Sequence, residues 1–396
     1  GSNASSIENE TTTTYQPSTA SIGTYYFLVK ASNSAASDVA SNVVKLKVVA
    51  AGVSGTVSDL VALSSDYTFI ADDVTLAGTT ALTANTLYDG GHIFAGYANQ
   101  AKKDKGTSTI EGETYYNSLN LSQGPIAFKV SAPCKATFYT GNNNSRSYKV
   151  GTSDDDDKFG TCPYKTFTWS CYITEATTIY ITKTDDGDYC LAGFKLNFNE
   201  TITPAKEYTT FCSSSPLNFS GVDGLTAYVV TSATGGSATL QAVTDVPANT
   251  GLILKKTSGS SFDVPIGSAT SLGETNNLLV GVTSATEVTA WADGSAYNYI
   301  LSDGTFYRAS GGTLAAGKAY LHCDSNPESA GARGLRIVFA DEATGINEVQ
   351  GSSTSEAVEP SATFNAQGDF YNISGQRVSQ PAKGLYIVNG KKVVVK

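Results

Sequence analysis

Two stretches of this 396-residue chain concentrate hard oxygen ligands: "DDDDK", Asp154 to Lys158, and "DDGD", Asp185 to Asp188. Ca²⁺ takes about six to eight oxygens, so if the two loops converge, Asp154, Asp156, Asp185 and Asp188 form a candidate structural calcium site. The spacing is not that of an EF-hand, and like charges repel without a cation. A solvated loop pair that keeps a sheet end polar is therefore the competing account. "DDDDK" also matches the enterokinase recognition sequence, but a tag scar belongs at a terminus and this run is flanked by strand-like sequence.

Catalytic chemistry has little to draw on. The only histidines are His92 in "DGGHIF" and His322 in "AYLHCD". The sequence contains no G-x-S-x-G elbow, no H-E-x-x-H and no phosphate-cradling glycine loop opening a helix. His322 adjoins Cys323, yet a zinc site needs more ligands than that pair. The carboxylates could serve a glycosidase, but no spacing singles out two of them. The sequence therefore predicts a protein that is not an enzyme and has no cofactor beyond the candidate calcium.

Charge and composition narrow the partners. The formal charge is -10 and no basic stripe is present, which excludes a nucleic-acid partner that works by counterion release. No apolar run is long enough for a transmembrane helix. The opening "GSNASSIENE" lacks the blocks of a signal peptide, and the chain has no methionine, so we expect a longer natural chain with a signal upstream. Charged residues make up 16% and hydrophobic residues 40%, a balance common in β-rich extracellular proteins.

The elements that must position these residues read as strands. "IAFKVSAPCKATFYTG" alternates Ile126, Phe128 and Val130, then Cys134, Ala136 and Phe138; "FTWSCYI" alternates Phe167, Trp169, Cys171 and Ile173; "FKLNF" alternates Phe194, Leu196 and Phe198. These half-buried strands require two stacked sheets or a barrel. With strands near 165–173 and 177–183 joined by a turn at Thr174 to Ala176, we expect both acidic loops at one open end. The same topology suggests disulfides Cys162 to Cys190 and Cys212 to Cys323, among the fifteen connectivities six cysteines allow. Cys134 and Cys171 point inward and would bridge or remain small buried residues.

Parity also suggests a binding face. If Leu119, Leu121, Phe128 and Phe138 face the core, then Tyr116, Asn120, Lys129, Tyr139 and Tyr172 face out, beside the loop "GNNNSR" with Asn143 and Arg146. Aromatic faces cover the C–H side of a sugar ring while amides and hydroxyls take its oxygens, so polysaccharide or a surface glycan is the expected ligand. Outward tyrosines equally make cross-strand pairs or lie under a neighbouring domain. Trp291, beside the Asp293–Gly294 turn, is a second aromatic candidate, and Trp169 is expected in the core.

Several segments carry resemblances. In residues 1–50, "TYQPSTASIGTYYFLVKASNSAASDVASNVVKLKV" resembles the last strands of a bacterial immunoglobulin-like domain, with Gly23, Tyr25 and Phe27 where that family has a glycine, its corner tyrosine and its second cysteine. Phe27 in place of cysteine rules out the inter-sheet disulfide there. Residues 56–200, through "TYYNSLNLSQGPIAFKVSAPCKATFYTG" and "TTIYITKTDDGDYCLAGFKLNF", are similar to the accessory β-sandwich of secreted polysaccharide lyases of Gram-negative anaerobes. Residues 203–343 look like a β-rich module of unknown role from surface proteins of the same bacteria. After a Ser/Glu-rich linker at 344–365, residues 366–396 resemble the C-terminal β-module of exported proteins in that group, some of them type IX secretion substrates. That match runs through Tyr371, Gly375, Gln376, Gly384, Tyr386 and Ile387. Together the resemblances imply an all-β, multidomain protein with jelly-roll-like sandwich modules, secreted or on the outer face of a Gram-negative cell. Its function would be non-catalytic polysaccharide binding. The alternatives are a structural or adhesive spacer with cell-surface protein partners, and an accessory part of a larger glycan-degrading enzyme.

Overall fold

The computed structural model describes residues 15–17, 21, 23–33, 36–75, 82–97, 100–121, 124–141, 147–184, 189–329, 333–340, 370–372, 377–378, 384–388 and 391–395. The chain is all-β: among the described residues, apart from one α-helical turn, Ala71–Thr75, and two short 3-10 turns, the regular elements are strands. Two units are separable, residues 1–343 and 344–396.

The first unit contains a sandwich built on the alternation read from the sequence. Its six-stranded sheet runs in the order Gln100–Ile110, Glu113–Asn120, Cys190–Asn197, Cys134–Thr140, Thr168–Ile173, with Tyr67–Ile70 also paired to Cys190–Asn197. The facing eight-stranded sheet centres on Thr177–Lys183 and Ile126–Val130 and ends at Gly160–Cys162. Along Cys134–Thr140 every second side chain is buried, as a strand with one face on a core requires. Phe194 sits at the middle of that core, with ring centroids of Phe128 at 4.6 Å, Phe69 at 5.2 Å and Phe138 at 5.9 Å. Trp169 packs on the same core, stacked on Phe138 at 5.9 Å.

Strand Cys190–Asn197 leads almost directly into Asn199–Ile202, which pairs with Phe262–Pro265 of the next module. That module contains a nine-stranded sheet with a buried apolar cluster on each face. Parity divides its strands cleanly: Leu225, Ala227 and Val229 enter one core, and Val230 enters the other. At the N-terminal side, Gly23–Phe27 pairs antiparallel with Val44–Val48, and the Tyr25 hydroxyl donates to the Ser21 carbonyl at 3.1 Å. The second unit contains a four-stranded antiparallel sheet in the order Arg377–Val378, Phe370–Asn372, Gly384–Val388, Lys391–Val395. Gly375 and Gln376 lie outside the described residues.

Two expectations are corrected. The Asp154 to Asp157 loop does not lie at the end from which Thr184 leaves, because the hairpin Tyr148–Gly151 to Gly160–Cys162 intervenes before the strand Thr168–Ile173. Register pairs Gly151 with Tyr180 and Tyr148 with Lys183. The loop 152–159 therefore leaves at the end of the Thr174–Ala176 turn, where Lys158 forms an ion pair with Glu175. Thr184 instead bonds Ser147 at the opposite end, and the stretch it leads to, with Asp185 and Asp188, is outside the described residues. The tip is also self-satisfied. Asp156 accepts from the Thr152 amide at 2.8 Å, the Thr152 hydroxyl at 2.6 Å and the Lys158 amide at 3.2 Å, which holds its carboxyl below the usual range. Lys149 Nζ reaches the Asp155 carbonyl at 2.8 Å, and the exposed Asp154 continues the turn. Gly151 permits this closure, since a Cβ there would lie 1.6 Å from Asp156 Oδ1.

The disulfide expectation is also overturned: all six cysteines are buried free thiols. Cys162 enters the sandwich core beside its register partner Tyr148, whereas Cys190 precedes the core residue Leu191 and so turns to the far side of its sheet, opposite Asn120. The Cys212 amide bonds the Gly317 carbonyl, while Cys323 ends the strand six residues further on, roughly 20 Å away at about 3.3 Å per residue. A bridge needs Cα atoms within about 7 Å. Burial pushes the Cys134 and Cys171 thiols up to about 12 and those of Cys212 and Cys323 up to about 11, so none is poised as a nucleophile.

Candidate ligand-binding site

The tyrosine face does not assemble as one surface, although its three strands do share the six-stranded sheet. Tyr116 stands alone, 59% exposed. Its neighbour Tyr115, pointing the other way, joins Tyr139 against Ile70, Ile110 and Ala192, so Tyr139 is half-buried in a small apolar cluster. Tyr172 is half-buried against the nine-stranded module, the third along the chain: its ring packs on that module's core and its hydroxyl meets the Ser214 carbonyl at 2.9 Å and Ser215 Oγ at 3.1 Å. Asn120 is 1% exposed. Lys129 is exposed but belongs to the other sheet, across the sandwich. Asn143 and Arg146 lie outside the described residues.

A different place gathers rings and polar groups. Between the strand Val44–Val48 with its continuation to Gly52, and the sandwich, lies a cleft of about 1190 Å³. Small-molecule sites occupy about 300–1,000 Å³, so this one has room for an extended chain of several rings. Lys45, Asp72, Asp73, Tyr88, Glu113 and Tyr115 contribute to its lining.

Each of these side chains is held by local structure. The edge strand Tyr67–Ile70 turns into the helical turn Ala71–Thr75, which presents Asp72 and Asp73; Asp72 accepts the Tyr116 amide at 3.2 Å. Tyr88 ends the strand Thr86–Tyr88, and its hydroxyl accepts the Thr83 amide at 2.7 Å. Gly52 lets the backbone close on this ring, since a Cβ there would fall 2.8 Å from a Tyr88 ring carbon. Glu111 and Gly112, at φ 53° and 83°, make the tight turn from which Glu113 and Tyr115 start. Glu113 then accepts from Lys45 Nζ at 2.5 Å and from the Tyr115 hydroxyl at 3.1 Å.

The electrostatics follow from these bonds. The Glu113 hydrogen bond raises the Lys45 ammonium above its ordinary value, and the Lys45 and Tyr115 bonds lower the Glu113 carboxyl. Burial, then Glu113, pushes the Tyr115 phenol up to about 12, so it remains a donor at any physiological pH. The lining includes no histidine or cysteine. Carboxylates, an ammonium, hydroxyls and the cleft-facing parts of two half-buried tyrosine rings can contact a polyol.

Elsewhere the titratable groups serve the fold. Tyr67 donates to Asp89 beneath His92, whose Nδ1 lies 3.2 Å from the Val61 carbonyl. Arg308 stacks 3.5 Å from the Trp291 ring centroid and pairs with Glu328, while Trp291 Nε1 donates to Tyr299 at 2.9 Å. His322 Nδ1 is 2.7 Å from Asn298 Oδ1. Among the described residues, no three His, Cys, Asp or Glu side chains are arranged to hold a metal ion. Likewise, among them, no helix is long and apolar enough to cross a membrane.

Fold and cleft together define an all-β protein with a sandwich and an open cleft of mixed polar and apolar lining that includes two tyrosines. No known protein-family profile matches the chain, and no curated protein matches it either.

Proposed function

We propose that this protein is a non-catalytic, secreted or surface-exposed binder of polysaccharide, and that the sandwich takes its ligand in the cleft closed by the Val44–Val48 strand. The observation that carries this is the convergence of Tyr88 and Tyr115 with Lys45, Asp72, Asp73 and Glu113 on one cleft. Ring faces flanked by charged hydrogen-bonding groups suit the alternation of C–H and O–H surfaces on a pyranose. Export to the cell surface of a Gram-negative bacterium is supported by the resemblance of the C-terminal residues to exported β-modules. The Tyr25–Ser21 bond is of the kind an immunoglobulin corner tyrosine makes.

The test uses isothermal titration of the full chain with soluble neutral and acidic polysaccharides, repeated with Lys45→Ala plus Glu113→Ala. That ion pair is exposed and contributes about 0–1 kcal/mol, so the variant keeps its fold. Binding by the parent and a tenfold or greater loss in the variant are expected. No binding across the panel, or full binding by the variant, overturns the proposal.

A second reading is a rigid spacer with protein partners. Tyr172 favours it, because a side chain that could have faced a ligand instead fastens two modules together.

A further inference from the structure

Among the described residues, the strand Thr168–Ile173 is the last of its sheet and pairs on one side only, with Cys134–Thr140. The Thr140 amide bonds the Phe167 carbonyl at 2.9 Å, which fixes the phase of the ladder. In an antiparallel pair, hydrogen-bonded and non-hydrogen-bonded positions alternate. Trp169, Cys171 and Ile173 therefore bond inward to Phe138, Ala136 and Cys134, and the backbone N–H and C=O of Thr168 and Ser170 point to the open edge. Both residues are exposed.

Natural edges are blunted by lysine, proline, inward charges or bulges. Thr168–Ile173 reads TWSCYI, with neither charge nor proline, and its register with Cys134–Thr140 runs without a bulge. The turn that precedes it adds side-chain contacts. Thr166 N bonds the Pro163 carbonyl at 3.3 Å, and Lys165 sits at φ 62°, a left-handed conformation that costs a non-glycine residue about 1–2 kcal/mol. This turn holds Tyr164 57% exposed and Phe167 45% exposed, with Lys165 Nζ 5.4 Å from the Tyr164 ring. Thr140 Oγ1 donates to the Thr166 and Phe167 carbonyls at 3.0 and 3.2 Å, so the turn is braced.

We propose that this edge is a strand-addition site: an extended segment of a partner protein pairs with Thr168 and Ser170, sets apolar side chains on Tyr164 and Phe167, and places a carboxylate on Lys165. Free backbone donors and acceptors at a two-residue spacing match another β-strand in extension. Lys165 supplies the charge complement. A second copy of this chain fits less well. Tyr172 is taken up by the third module, leaving a window of about three residues, which suits a short, transiently bound segment and falls short of the about 1,200 Å² that a stable dimer buries. The proposal is independent of the cleft.

The experiment titrates the full chain with a fluorescein-labelled ten-residue peptide of alternating Thr and Val carrying one terminal Asp, read by anisotropy and by amide exchange at Thr168 and Ser170. A control peptide is N-methylated at alternate residues. Ser170→Pro removes the outward N–H without touching the inner ladder, and Ser170→Lys adds the missing gatekeeper charge. Binding with slowed exchange at both amides is expected, with at least tenfold weaker binding for either variant and for the methylated peptide. No binding, binding unchanged in both variants, equal binding of the methylated peptide, or concentration-dependent dimerisation that Ser170→Lys abolishes would each overturn it.

Discussion

Tyr172 separates two accounts of the molecule. If it belonged to a sugar platform, truncating it would cost binding and leave stability alone. The structure gives the opposite expectation, because its hydroxyl meets the Ser214 carbonyl at 2.9 Å and Ser215 Oγ at 3.1 Å, and its ring lies on the core of the third module. A typical hydrogen bond contributes a net ~0.5–1.5 kcal/mol, so Tyr172→Phe loses about 1–3 kcal/mol, with Ser215 left in a buried position. Tyr172→Ala also removes the ring; buried aromatic truncations cost about 3–5 kcal/mol, and this half-buried site falls toward the lower end. In calorimetry, 1 kcal/mol shifts the midpoint by about 2–4 °C for 150–250 residues. The Phe variant should melt several degrees lower. The Ala variant should split one transition into two as sandwich and third module lose their joint. Unchanged midpoints in both variants, together with loss of polysaccharide binding, would refute this reasoning.

Other perturbations test neighbouring parts of the account. Gly151→Ala forces a methyl into the space of the Asp156 carboxylate and should destabilise the sandwich by about 1–3 kcal/mol, read by guanidinium denaturation. Asp156 has a folded-state pKa below its unfolded value, so its stabilisation is present above the unfolded carboxylate range and is lost as pH falls through the folded value. Asp156→Asn should flatten the acid limb of the stability curve below the unfolded carboxylate range. The native chain should react slowly with a thiol reagent at pH 8 and release six thiols once denatured; fewer than six would revive a disulfide.

How much of this was legible beforehand depends on the range of the forces involved. Alternation along Cys134–Thr140 and Thr168–Ile173 is local, and it fixed the all-β class and the inward set of Phe128, Phe138, Phe194 and Trp169. The short hairpin strand Gly160–Cys162 carries no such signal, being three residues with one buried side chain, and missing it displaced the Asp154–Asp157 loop to the wrong end. Parity placed Tyr139 and Tyr172 outside the sandwich correctly, yet outside a sheet is not the same as wet. What covers them is the Tyr115–Ile110 cluster in one case and a module some 40 residues downstream in the other, which is tertiary information. The cleft was invisible for the same reason: Lys45 and Glu113 are 68 residues apart, and nothing in either segment anticipates their contact.

Hydrogen exchange of the full chain, with and without a saturating polysaccharide, tests the binding account most directly. The account predicts slowed exchange in residues 45–52, 83–88 and 113–115, on both walls of the cleft. Protection confined to the outer face around Thr137 and Ser170, or none anywhere in the sandwich, would contradict it.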